Sequence, residues 1–196
     1  MLSRLADIAR APASNFLLAQ AGWFACVLGA AGDLALPGAA VGIAIVAIHL
    51  LVSASPRREG RHLAFAALVG LLFDSALVAA GVLEYRNGVF ADGIAPYWIV
   101  IMWPLFATTL NSSLRWLHGR WLLAAALGAV FAPLAYVAGA RLGAVEIVAM
   151  TAAMSALALG WGVLLPLLVG CAARNDGVRP AGTLGEAALV RIVGHV

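Results

Sequence analysis

Residues 37–54 read PGAAVGIAIVAIHLLVSA, residues 55–61 read SPRREGR, and residues 62–83 read HLAFAALVGLLFDSALVAAGVL. Two runs of almost pure hydrocarbon flank one short charged break. A bilayer core about 30 Å thick is crossed by roughly 20 apolar residues in a helix. Each run is therefore one crossing long, and the break between them, with its Pro and Gly, belongs in water. The same alternation covers most of the 196 residues. It predicts six spans, over 14–36, 37–54, 62–83, 96–116, 121–140 and 144–171, with no irregular backbone exposed to lipid. The expected fold class is all-α, a polytopic membrane helix bundle over residues 14–171. A cytoplasmic interfacial segment over 1–13 is expected before it, because Leu2, Leu5 and Ile8 fall opposite Arg4, Asp7 and Arg10. A flexible cytoplasmic tail over 172–196 follows.

Composition agrees. The chain is 64% hydrophobic and 11% charged, with a mean hydropathy of +1.00, whereas soluble domains carry about a quarter charged residues. Its pI near 9.4 rests on a net charge of only +3, which excludes a nucleic-acid partner. All twelve basic residues are Arg, and ten of them fall on one side of the six-span arrangement, leaving Arg86 and Arg141 on the other. The positive-inside rule then places both termini in the cytoplasm. Arg4, Arg10 and the apolar stretch 16–28 imitate a secretory leader, but Asn15, Gln20 and Asp7 interrupt it, so a retained first span is expected.

Small residues four apart, Gly38/Gly42, Gly139/Gly143 and Ala21/Ala25/Gly29, allow close helix approach. Spans three and five share a pattern: Gly70-x-x-Phe73 followed by Gly81, and Gly128-x-x-Phe131 followed by Gly139. A duplicated helical hairpin explains it, as does the general likeness of Ala/Leu/Gly helices. Cys26 and Cys171 read as small buried hydrophobes.

Function has to be sought in polar residues that are costly where they sit. Asp74 falls deep in span three, where an ionised side chain costs about 2.5–3.5 kcal/mol on an insertion scale. His49, Gln20, Thr108, Asn111 and Ser112 fall at similar depth on three other spans. The last three, together with Arg115, share one helix face at spacings of three, four and seven. A single pocket opening inward is expected to gather them, with Asp74 and His49 as a proton-handling pair. Trp23 and Trp103 line its apolar part, beside kinks at Pro104 and Pro133. Trp98, Trp116 and Trp121 read as interface anchors. The bland alternative is that these groups only hydrogen-bond between helices and set their register. No metal-ligand spacing, phosphate loop or nucleophile elbow occurs, so neither metal nor cofactor is expected.

Several motifs carry a resemblance. Asn15-Phe16, Gln20-x-Gly22-Trp23-Phe24-x-Cys26, Pro96-x-Trp98, Thr109-Leu110-Asn111-x-Ser113-Leu114-x-Trp116 and Pro133-Leu134-x-Tyr136-x-x-Gly139 are similar to a bacterial polytopic inner-membrane family catalogued only as a domain of unknown function. The resemblance implies a small multi-pass protein without an assigned activity; Tyr136 is a further candidate substrate-binding residue. Three functions stay open: a membrane-embedded enzyme or accessory factor acting on lipid acyl chains or another apolar substrate, a small-solute transporter, and a structural or assembly partner. The expected partners are the bilayer, an apolar small molecule or lipid, and a second copy of the chain.

Overall fold

Pro12 and Pro56 each occupy the first turn of a helix, where a missing N–H breaks no hydrogen bond and φ is already helical. They start α1 (Pro12–Ala31) and α3 (Pro56–Ala79); between them lies α2 (Ala35–Val52). The remaining helices are α4 (Tyr97–Ala107), α5 (Trp121–Arg141) and α6 (Met150–Arg174). The computed structural model describes residues 11–178. The expectations for residues 1–10 and for the tail from 179 onward lie outside the described residues.

Among the described residues five helices are long and apolar enough to cross a membrane; α4 is not. Leu51, Leu122 and Leu159 are each at least three-quarters exposed on helix surfaces. An apolar exterior of this kind fits hydrocarbon and not water.

The helices form three antiparallel hairpins. The α1–α2 hairpin turns at Gly32-Asp33, where Asp33 takes φ 59°, a left-handed conformation that Asp tolerates. Its two helices meet through small residues: a side chain at Gly38 would collide with the Ala25 carbonyl, and a Cβ at Gly42 would lie only 3.2 Å from the Cys26 sulfur. Helix α4 packs against α1, α2 and α3, while α6 packs against α5 and α3. A two-residue antiparallel ladder joins the hairpin tips: β1 (Leu83–Glu84) follows α3 and β2 (Glu146–Ile147) follows α5. Gly143, expected to pair with Gly139 on a helix face, instead turns the chain beyond α5 at φ 91°.

The shared pattern of spans three and five has a physical counterpart. Gly70 makes room for the Trp103 indole and Gly128 for the Trp161 backbone, two contacts with the same sequence separation. Trp103 and Trp161 then stack, centroids 4.6 Å apart and planes 20° from parallel. The α3–α4 and α5–α6 hairpins thus meet through equivalent positions. Asp74, however, corresponds to Ala132, so any duplicated hairpin has diverged at the acid.

Two boundaries depart from expectation. The segment 55–61 is not a loop: helix α3 begins at Pro56 and carries Arg57 to Arg61 in its first turns. Span four is helical only to Ala107. Beyond it, residues 108–114 form successive tight turns, ending in a 3-10 helix (Arg115–Leu117). Thr108 and Thr109 explain the break, since their hydroxyls bond the carbonyls of Leu105 (2.7 Å) and Phe106 (2.6 Å). Such local bonds compete with a helical ladder that Pro104 already weakens.

Candidate functional site

Helix α3 buries one face made of Glu59, His62, Leu63, Ala66, Gly70, Asp74 and Leu77. Steps of three and four residues keep them in line. Two carboxylates lie on that face, fifteen residues and hence about 22 Å apart along the axis. Each anchors its own polar cluster.

Glu59 is fully buried at the Arg57 end of the bundle. Its Oε1 lies 3.0 Å from His49 Nε2. Its Oε2 accepts from Asn111 Nδ2 at 2.9 Å and from the Gly177 backbone N–H at 3.0 Å. His49 keeps about a tenth of its side chain exposed, so it connects the carboxylate to the outside. Asn111 belongs to the non-helical segment after α4, whose backbone is free to bring it here because no regular ladder continues. The chain after α6 closes the cluster: Ser55 N–H donates to the Gly177 carbonyl at 2.8 Å, and the Arg115 guanidinium forks onto Asp176. A side chain at Gly177 would strike the Ser55 carbonyl and Glu59 itself. His62 lies on the next turn, its Nε2 3.3 Å from the Ala107 carbonyl. With Nε2 donating there, Nδ1 is an acceptor, and both His62 Nδ1 and Asn111 Oδ1 are buried without a hydrogen-bond partner among the described residues.

Asp74 sits five residues before the end of α3, about 8 Å from it. Its Oδ2 accepts from Trp103 Nε1 at 2.6 Å and its Oδ1 from Tyr136 at 2.5 Å. Tyr85, in the loop after β1, turns its hydroxyl toward the same carboxylate without closing a hydrogen bond. Burial and the Asp74 charge push the Tyr85 phenol well above its usual range, so it stays a proton donor. A third cluster links α1 to the break in span four: Asn15 donates to the Thr108 carbonyl at 3.3 Å, and Ser113 donates to Asn15 Oδ1 at 2.9 Å.

The sequence candidates therefore divide. Trp103 and Tyr136 meet at Asp74, whereas His49 and Asn111 meet at Glu59. Asp74 and His49 do not form a pair, because each is bound to partners at opposite ends of α3. Thr108, Asn111, Ser112 and Arg115 do not share a helix face, since the backbone there is not a helix; Ser112 is half-buried with no role in either cluster. Gln20 is exposed on α1, and the buried polar residue of that helix is Asn15. Trp23 is half-buried, edge-on to Phe24. Trp98 is buried and donates to the Asn87 carbonyl at 2.9 Å, so it is not an interface anchor. Glu59 escapes the sequence reading because its charged neighbours make 55–61 look like a loop, which also leaves His62 at the very start of the expected span 62–83. The signal available was Pro56 directly after Ser55, a helix start that puts Glu59 in register with Asp74.

A family profile matches residues 12–167, described as a protein of unknown function (DUF2878). The chain belongs to this family. Among the described residues the match spans all six helices except the last turns of α6, and it includes Glu59, His62, Asp74, Asn111 and Tyr136. No curated protein and no solved structure matches the chain.

Proposed function

We propose that this family member is a proton-coupled carrier of a small solute, with Glu59 as the group that takes up and releases the proton. The observation that carries the reading is a fully buried carboxylate held by His49, Asn111 and Gly177 at the point where a membrane helix breaks. Non-helical backbone is tolerated inside a membrane protein where it is buried or lines a cavity, and interrupted helices beside polar groups mark ion and substrate sites in carriers. The equivalent Gly–Trp contacts of the α3–α4 and α5–α6 hairpins support the same reading, because carriers are commonly built from repeats. His49, about a tenth of its side chain exposed, gives Glu59 an exchange route, and the acceptors of His62 and Asn111, unpartnered among the described residues, give an arriving donor a place to bind. The lipid-enzyme reading rested on Asp74 beside His49 and loses that support.

In this reading the chain crosses a bacterial inner membrane six times. Helix α4 and the turns to Leu117 together make the fourth crossing, and both termini lie in the cytoplasm. Arg57, Arg58, Arg61, Arg115, Arg120 and Arg174 all fall at the end that carries Glu59, which the positive-inside rule assigns to the cytoplasm. Reporter fusions after Asn87 and at the tail test this; a periplasmic signal from the tail refutes it.

The activity is tested in liposomes holding the purified protein and a trapped pH-sensitive dye. Under an imposed proton gradient, a panel of amino acids, sugars, organic acids and amines is offered in turn. One class is expected to speed the collapse of the gradient, and Glu59→Gln to abolish that response. Solute flux that survives Glu59→Gln unchanged refutes the role of Glu59. Altered acyl chains in a deletion strain, restored by Glu59→Gln, would favour the enzyme instead.

A further inference from the structure

The first turns of α3 have two sides. Glu59 points inward to His49 and Asn111, which leaves Arg57, Arg58 and Arg61 outside, exposed and without a carboxylate partner among the described residues. Spacings of three and four bring Arg61 beside both others. With Ser55, Gly60 and Ala64, these arginines line an open recess of about 690 Å³. Gly60 lies in its lining. A Cβ there would meet only Leu50, at 3.9 Å, so helix packing does not require the space to be empty. From Ala64 the same face continues through Leu68 and Leu72 at four-residue steps, 53% and 63% exposed. A cluster of uncompensated cations thus sits at the polar end of a membrane-length helix, and an uncovered apolar stripe runs from it toward the hydrocarbon.

We propose that this recess binds one anionic phospholipid, its phosphate among Arg57, Arg58 and Arg61 and one acyl chain along Ala64, Leu68 and Leu72. Guanidinium forks match phosphate oxygens bidentately and hold charge at any physiological pH. Basic pockets at the cytoplasmic side of helix bundles recognise such headgroups. A free phosphate satisfies the arginines but leaves the stripe uncovered, which is why the lipid is the occupant. A zwitterionic headgroup brings an ammonium into the same cationic recess and is disfavoured. The site is independent of the carrier reading, since Glu59 faces away from it.

Native mass spectrometry of the full chain in mild detergent tests the proposal with three probes: dioctanoyl phosphatidylglycerol, dioctanoyl phosphatidylcholine and inorganic phosphate. One tight phosphatidylglycerol adduct is expected, with weaker phosphatidylcholine binding and no phosphate adduct. Each Arg→Gln change should weaken the adduct about fivefold, and the triple change about a hundredfold. Gly60→Glu should also remove it, by placing an acid in the recess, while leaving thermal unfolding unchanged; this variant keeps the test intact if the triple change fails to fold. Equal binding of both lipids, retention of phosphatidylglycerol by the variants, or phosphate binding as tight as that of phosphatidylglycerol overturns the proposal.

Discussion

Glu59→Gln and Glu59→Ala separate charge from packing at the buried cluster, and the two should differ sharply. The Glu59 carboxylate takes three hydrogen bonds, from His49, Asn111 and Gly177. In the glutamine variant, Oε1 can accept from Asn111 and Gly177 while the new amide N–H donates to His49, which needs only the other imidazole tautomer. All three contacts survive, each weakened by about 1 kcal/mol on losing its charge. That loss of about 3 kcal/mol is offset by a desolvation cost of several kcal/mol that a neutral amide no longer carries. Glu59→Gln should therefore be close to neutral for stability. Glu59→Ala strands three buried donors at about 1–3 kcal/mol apiece, near the 3–5 kcal/mol typical of breaking a buried pair. At about 2–4 °C per kcal/mol for a chain of this size, its thermal midpoint in detergent should fall by about 10 °C or more. Thermal unfolding followed by tryptophan fluorescence reads both variants side by side. If Glu59→Gln unfolds as early as Glu59→Ala, the charge itself holds the fold together, and a carboxylate that must lose its charge in each transport cycle is untenable.

Three further outcomes follow from the geometry. Gly177→Ala should lift the segment 175–178 off Glu59, because its Cβ has no room beside the Ser55 carbonyl; hydrophobic carbodiimide should then label Glu59 several times faster, as read by peptide mass mapping. Gly70→Ala should displace the Trp103 indole and break its bond to Asp74, costing about 3 kcal/mol or more from overpacking plus a lost charged hydrogen bond, with a shift in tryptophan emission as the accompanying signature. Tyr136→Phe should cost about 1.5–3 kcal/mol, the worth of one hydrogen bond to a charged group, whereas Asp74→Asn should cost less, because the Tyr136 hydroxyl can turn to accept from the new amide; chemical or thermal unfolding that ranks them in the opposite order refutes the assigned donors.

Hydropathy by itself determines the five long helices, since apolar runs near 20 residues have one economical conformation in hydrocarbon and their breaks carry the Pro, Gly and Arg that cannot stay there. It also determines that Asp74, Trp103, Tyr136, His49 and Asn111 need partners, because unpaired polar groups in an apolar interior are costly. Which partner each one takes is a different kind of information. The run 96–116 looks like one more helix to any count of apolar residues, and the competition of two threonine hydroxyls for their own carbonyls, on a ladder weakened by Pro104, ends it at Ala107. That break lets Asn111 reach Glu59, a contact across fifty-two positions of sequence that no local pattern encodes. Likewise, burial turns Glu59 from an apparent loop charge into the centre of a cluster, and burial is decided by what packs against α3: His49 from α2, the broken end of span four and Gly177 from beyond α6. Periodicity assigns a residue to a face of its own helix; only the packing of helices brought together from distant parts of the chain decides what that face meets.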